Sequence, residues 1–107
     1  MTDSVHILFV DDEPKAGELF QRLIRGSSYE AEVFTDPVAA LEFFRKSGAG
    51  LIITDLSMPR MTRMELLGAI RETDDEVPVI IVTGYSTVEN AIEAMRLGAT
   101  DFIKKPY

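Results

Sequence analysis

Five side chains able to bind a cation or a phosphate stand at the ends of short apolar runs in this sequence. They are the carboxylates Asp11, Asp12 and Asp55, the hydroxyl of Thr83 and the ammonium of Lys105. Oxygen ligands without His or Cys favour Mg²⁺ over zinc, and Mg²⁺ usually binds one or two carboxylates together with a phosphate. A lysine and a hydroxyl can serve phosphate oxygens by charge and hydrogen bond. If the fold brings these groups together, they predict Mg²⁺-assisted phosphoryl transfer with an Asp as nucleophile.

Each of these residues also has a structural interpretation. An Asp after a strand is most often a helix cap or a turn residue, and Pro59 requires a turn soon after Asp55. Asp12 or Glu13 could cap a helix that begins at Pro14. A functional site therefore depends on whether the elements of the chain place all five residues at one edge.

The apolar pattern predicts strands that alternate with helices. In the first helix, Ala16, Leu19, Phe20, Leu23 and Ile24 recur at helical spacing and predict one apolar face toward the core. Strands are expected at 6–10, 31–35, 51–54, 77–83 and 101–105, and helices after Pro14, after Pro37, at 65–71 and from Val88 to the C-cap Gly98.

This alternation favours a parallel α/β sheet covered on both faces. At this length the flavodoxin-like doubly wound order 2-1-3-4-5 is the best prediction, with the helix that would follow the fifth strand missing. In that order strands one, three, four and five are neighbours. Because ligands bind at the carboxyl ends of such strands, the five polar residues are expected to converge there.

Length, composition and charge exclude or disfavour several classes of function. The chain has 107 residues, which suits one domain, and no cysteine, which excludes disulfides and thiolate metal sites. The net charge of −7 disfavours direct contact with nucleic acid. No apolar run approaches a membrane span, and Met1 to His6 lack the features of a signal peptide, so a cytoplasmic location is expected. His6, the single histidine, is expected at a strand end on the surface.

Taken together and in this order, the motifs resemble the receiver domain of a two-component response regulator over residues 6–107. No single motif is decisive, but the set is specific. The matching stretches are Val10-Asp11-Asp12-Glu13-Pro14, Thr54-Asp55-Leu56-Ser57-Met58-Pro59, Val82-Thr83-Gly84 and Lys105-Pro106.

The resemblance implies a role for each site residue. Asp55 would accept a phosphoryl group from a sensor histidine kinase. Mg²⁺ would be held by Asp11, Asp12, Asp55 and the carbonyl of Ser57. Lys105 and the hydroxyl of Thr83 would bind phosphoryl oxygens. We expect Lys105 and not Lys104, because the lysine of the family directly precedes the proline and strand alternation points the two side chains to opposite faces.

The family also implies partners and an aromatic switch. Phe102 fits the switch position, three residues before Lys105. The runs 84–91 and 94–99 resemble receivers of sigma-54-dependent (NtrC-like) activators, which carry an ATPase domain and a DNA-binding domain on the same chain. The sequence departs from the family at Arg63, where glycine is usual. The absent fifth helix suggests a single receiver domain, 1–107, truncated after the fifth strand.

Two other functions compete with a signalling switch. A Mg²⁺-dependent phosphohydrolase would want its nucleophile just after the first strand within Asp-x-Asp, whereas this chain has Asp11-Asp12-Glu13 and no cap domain. A binding module without phosphoryl chemistry would not need the complete set of five residues. We therefore expect no enzymatic activity apart from the protein's own phosphoryl transfer and autodephosphorylation.

A last expectation concerns the uncovered flank of the sheet. Without a fifth helix, an apolar strip formed by parts of the first helix and by Ile103 or Phe102 should face water. Burial of apolar surface is worth ~25 cal/mol per Å². We therefore expect either marginal stability or a homo-oligomer that hides the strip, and favour the latter.

Overall fold

The computed structural model describes residues 5–55, 63–83, 92–93 and 95–104, without the side chains of Asp55, Arg63, Met64, Thr83, Phe102 and Lys104. Its strands are β1 (Val5–Val10), β2 (Tyr29–Phe34), β3 (Leu51–Asp55), β4 (Val79–Thr83) and β5 (Asp101–Lys104). Its helices are α1 (Pro14–Ile24), α2 (Pro37–Ser47) and α3 (Arg63–Thr73). No helix within these ranges is long and apolar enough to span a membrane.

The strands form one parallel sheet in the order β2-β1-β3-β4-β5, which confirms the predicted flavodoxin-like topology. The register places Val10 opposite Phe34 on one side and Thr54 on the other. Further along the sheet, Asp55 pairs with Val82, and Thr83 pairs with Lys104. Four strands therefore end side by side at the predicted edge.

One face of the sheet, which we call the closed face, is covered by α2 and α3. Its strand residues are Leu8, Val10, Ile52, Val79 and Ile81, none more than 2% exposed. They pack in one apolar cluster with the inward residues of the helices: Ala40, Leu41 and Phe44 of α2, and Leu66, Leu67 and Ile70 of α3.

The opposite face, which we call the open face, is covered by α1 and contains an apolar cleft of about 240 Å³. The ring of Phe20 in α1 stacks on Phe9 of β1 at 4.6 Å between centroids. Leu23 is 64% exposed and Ile103 is 39% exposed. The cleft is lined by Phe9, Phe20, Leu23, Ile53, Ile80, Val82 and Ile103. Within the described residues this is the apolar strip that the sequence predicted.

The predicted inward face of α1 is only partly correct. Leu19 and Leu23 are exposed, and the buried residue of the helix is Gly17. A Cβ on Gly17 would lie 2.3 Å from Cγ1 of Val33, so the glycine lets α1 approach β2 closely. Leu23 lines the cleft of the open face, so its exposure follows from the incomplete helical cover of that face among the described residues.

Candidate functional site

Asp11 lies directly after β1 and is 3% exposed. Its backbone N–H donates to the carbonyl of Phe34 at 3.1 Å, which extends the β1–β2 ladder by one residue. Its Oδ1 accepts a hydrogen bond from the N–H of Glu13 at 3.0 Å. This Asx turn orients the carboxylate at the strand–helix junction and was missed by the sequence analysis, although an Asp shortly before a Pro is a recognised turn signal.

Asp12 is exposed, and the N-cap position of α1 is occupied by Glu13, whose side chain makes no capping hydrogen bond. Of the two cap candidates in the sequence, Glu13 therefore holds the position. Asp12 therefore does not act as the N-cap of α1. The assignment of Asp12 as a metal ligand stays a prediction.

Asp55 is the last residue of β3, the central strand of the sheet. Since Val10 pairs with Thr54, the next residues along the chain, Asp11 after β1 and Asp55 at the end of β3, are level with each other. Adjacent strands lie about 4.8 Å apart, so the two backbones that carry these carboxylates are close. Thr54, just before Asp55, is 1% exposed, so β3 is buried at the residue that precedes the candidate acceptor.

Thr83 ends β4 one position beyond the partner of Asp55, and it pairs with Lys104 of β5. Lys105 follows Lys104 directly and, like Ser57, lies outside the described residues. The backbones of Asp11, Asp55 and Thr83 thus converge at the carboxyl edge, as the sequence predicted. The roles of Lys105 and Ser57 stay predictions, as does the choice between Lys104 and Lys105.

His6 lies at the other end of β1 from Asp11. Its Nε2 is 3.5 Å from Oε2 of Glu30, and both side chains are largely exposed. As predicted, His6 belongs to the surface near the start of a strand and is remote from the carboxyl edge.

Asp11, Asp12 and the ends of β3, β4 and β5 lie together at one edge of the sheet. The buried carboxylate of Asp11 accepts a hydrogen bond from a backbone N–H, and the backbone of Asp11 lies beside the end of β3, whose last residue is Asp55. Oxygen donors of this kind match the preference of Mg²⁺.

The sequence is similar to a known domain family and to several transcriptional regulatory proteins. The sequence profile of the response regulator receiver domain matches residues 7–107. The transcriptional regulatory protein ZraR of Klebsiella oxytoca is 36% identical over 104 residues, 97% of this chain and 24% of that protein. The transcriptional regulatory protein FixJ of Rhizobium meliloti is 36% identical over 108 residues, covering this chain fully and 52% of that protein. The chain thus spans between a quarter and about half of these relatives.

A solved structure supports the fold independently. The CheY-like response regulator receiver domain protein from Methanospirillum hungatei superposes with a TM-score of 0.93 at 27% identity. The superposition covers 98% of this chain and 84% of that one.

Proposed function

Since this chain belongs to the response regulator receiver domain family, we propose that it is a signalling switch phosphorylated on Asp55 by a sensor histidine kinase. The observation that carries the assignment is the position of Asp55. It ends the central strand, level with the buried carboxylate of Asp11 and beside the end of β4. No other acidic residue in the described ranges ends a strand between two such neighbours.

In the proposed reaction, a carboxylate oxygen of Asp55 attacks the phosphorus atom of the donor. A bond between phosphorus and this oxygen forms as the bond between phosphorus and the donor breaks, and the donor leaves with the bonding electron pair. The product is an acyl phosphate, so this step takes up one phosphoryl group and releases no free phosphate. Hydrolysis of the acyl phosphate by water would return the switch to its resting state.

Asp11, Asp12, Asp55 and the carbonyl of Ser57 would hold Mg²⁺, which supplies positive charge against the carboxylates and the phosphoryl oxygens. The hydrogen bond from the N–H of Glu13 to Oδ1 of Asp11 supports this role, because it fixes the orientation of that carboxylate. Lys105 and the hydroxyl of Thr83 would bind the phosphoryl oxygens. These donors add charge and hydrogen bonds where negative charge develops.

The output would follow from a population shift. Thr83 would move toward the phosphoryl group, and Phe102 would turn inward into the space it leaves. Thr83 and Phe102 lie on the neighbouring strands β4 and β5, which supports this route. The surface formed by the fourth helix and β5 would then change and control an output domain on the same native chain. The named relatives are transcriptional regulators, which favours an output in transcription.

A small phosphodonor with Mg²⁺ tests the assignment. Intact mass should rise by one phosphoryl group in the native protein and in Asp75→Asn, a control that changes an exposed acid in the turn before β4. Asp55→Asn should show no rise. Equal labelling of Asp55→Asn would show that another residue is the acceptor.

The same incubation separates the rival functions. A Mg²⁺-dependent phosphohydrolase would release phosphate over many turnovers, and a binding module would neither gain the group nor release phosphate. We expect one labile group per chain and phosphate release no faster than loss of that group.

A further inference from the structure

Arg71, in the last turn of α3, donates hydrogen bonds to two different connections of the chain. Its Nη1 donates to the carbonyls of Asp74 at 3.2 Å and Val77 at 2.7 Å, in the connection that leads into β4. Its Nε and Nη2 donate to the carbonyl of Gly98 at 3.0 and 2.6 Å, just before β5. A guanidinium offers five N–H donors in a rigid plane. One side chain therefore joins the entrances of two neighbouring strands.

Gly98 is adapted to this contact. Its φ of 108° lies in the region that favours glycine, and its N–H donates to the carbonyl of Met95 at 3.2 Å. A Cβ on Gly98 would lie 2.9 Å from Nε of Arg71 and 3.2 Å from its Cγ. Any other residue at this position would strain the backbone and displace the guanidinium.

The residues that follow are also fixed to the sheet. The N–H of Thr100 donates to the carbonyl of Val79 at 2.7 Å, and the Thr100 hydroxyl accepts from the N–H of Val79 at 3.0 Å. Ala99, between Gly98 and Thr100 in the chain, is 7% exposed. Residues 98–100 are therefore bound to both the end of α3 and the start of β4.

Before Gly98, the described residues 92–93 and 95–97 expose three apolar side chains, and we call this surface segment 92–97. Ile92, Met95 and Leu97 are 52%, 46% and 41% exposed. Along the chain, residues 84–91 connect Thr83 at the end of β4 to the amino end of segment 92–97. The carboxyl end of the segment continues directly into the fixed residues 98–100. The two ends of this surface thus connect to different places: one to the candidate phosphoryl site and one to Arg71.

We propose that Arg71 is a positioning residue that fixes the carboxyl end of segment 92–97 to α3 and β4. A change that begins at Thr83 then alters the amino end of the segment, while Gly98 stays in place as its pivot. The pivot rests on the proposed function, since it takes Thr83 to respond to phosphorylation. The fixed end does not depend on phosphorylation, because it rests on the hydrogen bonds of Arg71 together with those between Thr100 and Val79.

Amide hydrogen exchange followed by NMR tests the fixed end in the unphosphorylated 107-residue protein. In Arg71→Met, the amides of Gly98 and Thr100 should exchange roughly tenfold to hundredfold faster, as expected for loss of hydrogen bonds from a charged donor. Arg71→Lys can reach one carbonyl but not all three, so it should restore part of the protection.

Two controls separate this role from general destabilisation. The amide of Gly48, which donates to the carbonyl of Phe44 at the end of α2, should keep its exchange rate in every variant. Arg96→Met removes an exposed arginine from segment 92–97 and should leave the Gly98 amide unchanged. Equal acceleration at Gly48 and Gly98, or the same effect from Arg96→Met, would overturn the proposal.

Phosphorylation with a small phosphodonor and Mg²⁺ tests the pivot. In the native protein, the exchange of Ile92 and Glu93 should change and that of Gly98 and Thr100 should not, whereas all four should change in Arg71→Met. An equal change at both ends of the native protein would refute the pivot. If no protein takes up a phosphoryl group, the proposed function and the pivot both fail, and the exchange of the unphosphorylated variants still decides the role of Arg71.

Discussion

The two faces of the sheet contain similar apolar residues but differ in how completely helices cover them. On the closed face Ile52 is 0% exposed, whereas on the open face Ile103 is 39% exposed. The same chemistry therefore contributes differently to stability on the two faces, because burial and close packing determine the energy of an apolar side chain. Within the described residues, the apolar side chains of the open face are covered less completely than those of the closed face.

The largest expected effect is on the closed face. Leu67 of α3 is 0% exposed, and Leu67→Ala should lower the free energy of unfolding by about 2–5 kcal/mol through lost contacts and a cavity. Leu23→Ala is the matched control, because Leu23 is 64% exposed. It should cost about 0.5 kcal/mol or less. Urea denaturation of both variants checks the comparison, and equal losses would show that the open face is covered in solution.

Glycine substitutions in α1 and α3 should have opposite signs. Gly17→Ala places a Cβ 2.3 Å from Cγ1 of the stiff side chain of Val33, and overpacking should cost about 1–3 kcal/mol. Gly68→Ala meets no atom within 4 Å and should stabilise α3 by about 0.5–1 kcal/mol. Thermal melting of the two variants gives the signs.

A double variant locates the cause of the Gly17 effect. Val33→Ala combined with Gly17→Ala should lose less stability than the two single changes added together. Simple additivity would mean that the contact between α1 and β2 is not the source of the loss.

Removing the N-cap side chains of α2 and α1 should give a smaller difference in stability between the two faces. Asp36 caps α2 by accepting a hydrogen bond from the N–H of Val38 at 3.0 Å, whereas Glu13 makes no side-chain cap on α1. Asp36→Ala should cost about 1 kcal/mol and Glu13→Ala at most a few tenths. Denaturant midpoints measured in the same buffer would contradict this if Glu13→Ala cost as much as Asp36→Ala.

The smallest change in stability is expected from replacing both exposed leucines of α1. Leu19→Lys with Leu23→Lys should leave unfolding nearly unchanged but weaken self-association through the open face. Sedimentation of the native protein across a concentration range should show oligomers that the double variant lacks. A native protein that stays monomeric throughout would show that the cleft does not drive association.

The sheet order and the convergence of strand ends could be predicted because they depend on local patterns. Short apolar runs ending in Asp, Thr or Lys indicate both the strands and their polar ends. Because neighbouring strands are parallel, these polar ends lie at the same edge of the sheet. The uncovered flank predicted that part of the first helix would face water, but the helical pattern could not identify Leu19 and Leu23 as the exposed residues. Periodicity identifies the apolar side of a helix but does not say which strands lie beneath it.

The role of Arg71 could not be predicted from the sequence for a related reason. Its carbonyl partners at Val77 and Gly98 are separated in the chain and are backbone atoms, so no residue type marks them. Gly17 had a usable signal, since a glycine within an apolar helical pattern often indicates close packing. The individual roles of Lys105 and Ser57 remain predictions from the family resemblance.

The all-parallel sheet also has a consequence for how the chain folds. No two of the described strands that follow each other in sequence form a hairpin, and β1 must pair with β3, on the far side of both α1 and α2 in the chain. Every strand pair therefore requires closure of a long loop before its hydrogen bonds form. We expect folding to be slower than in a helical bundle of the same length, with β1 held between two neighbours that are both synthesised after it.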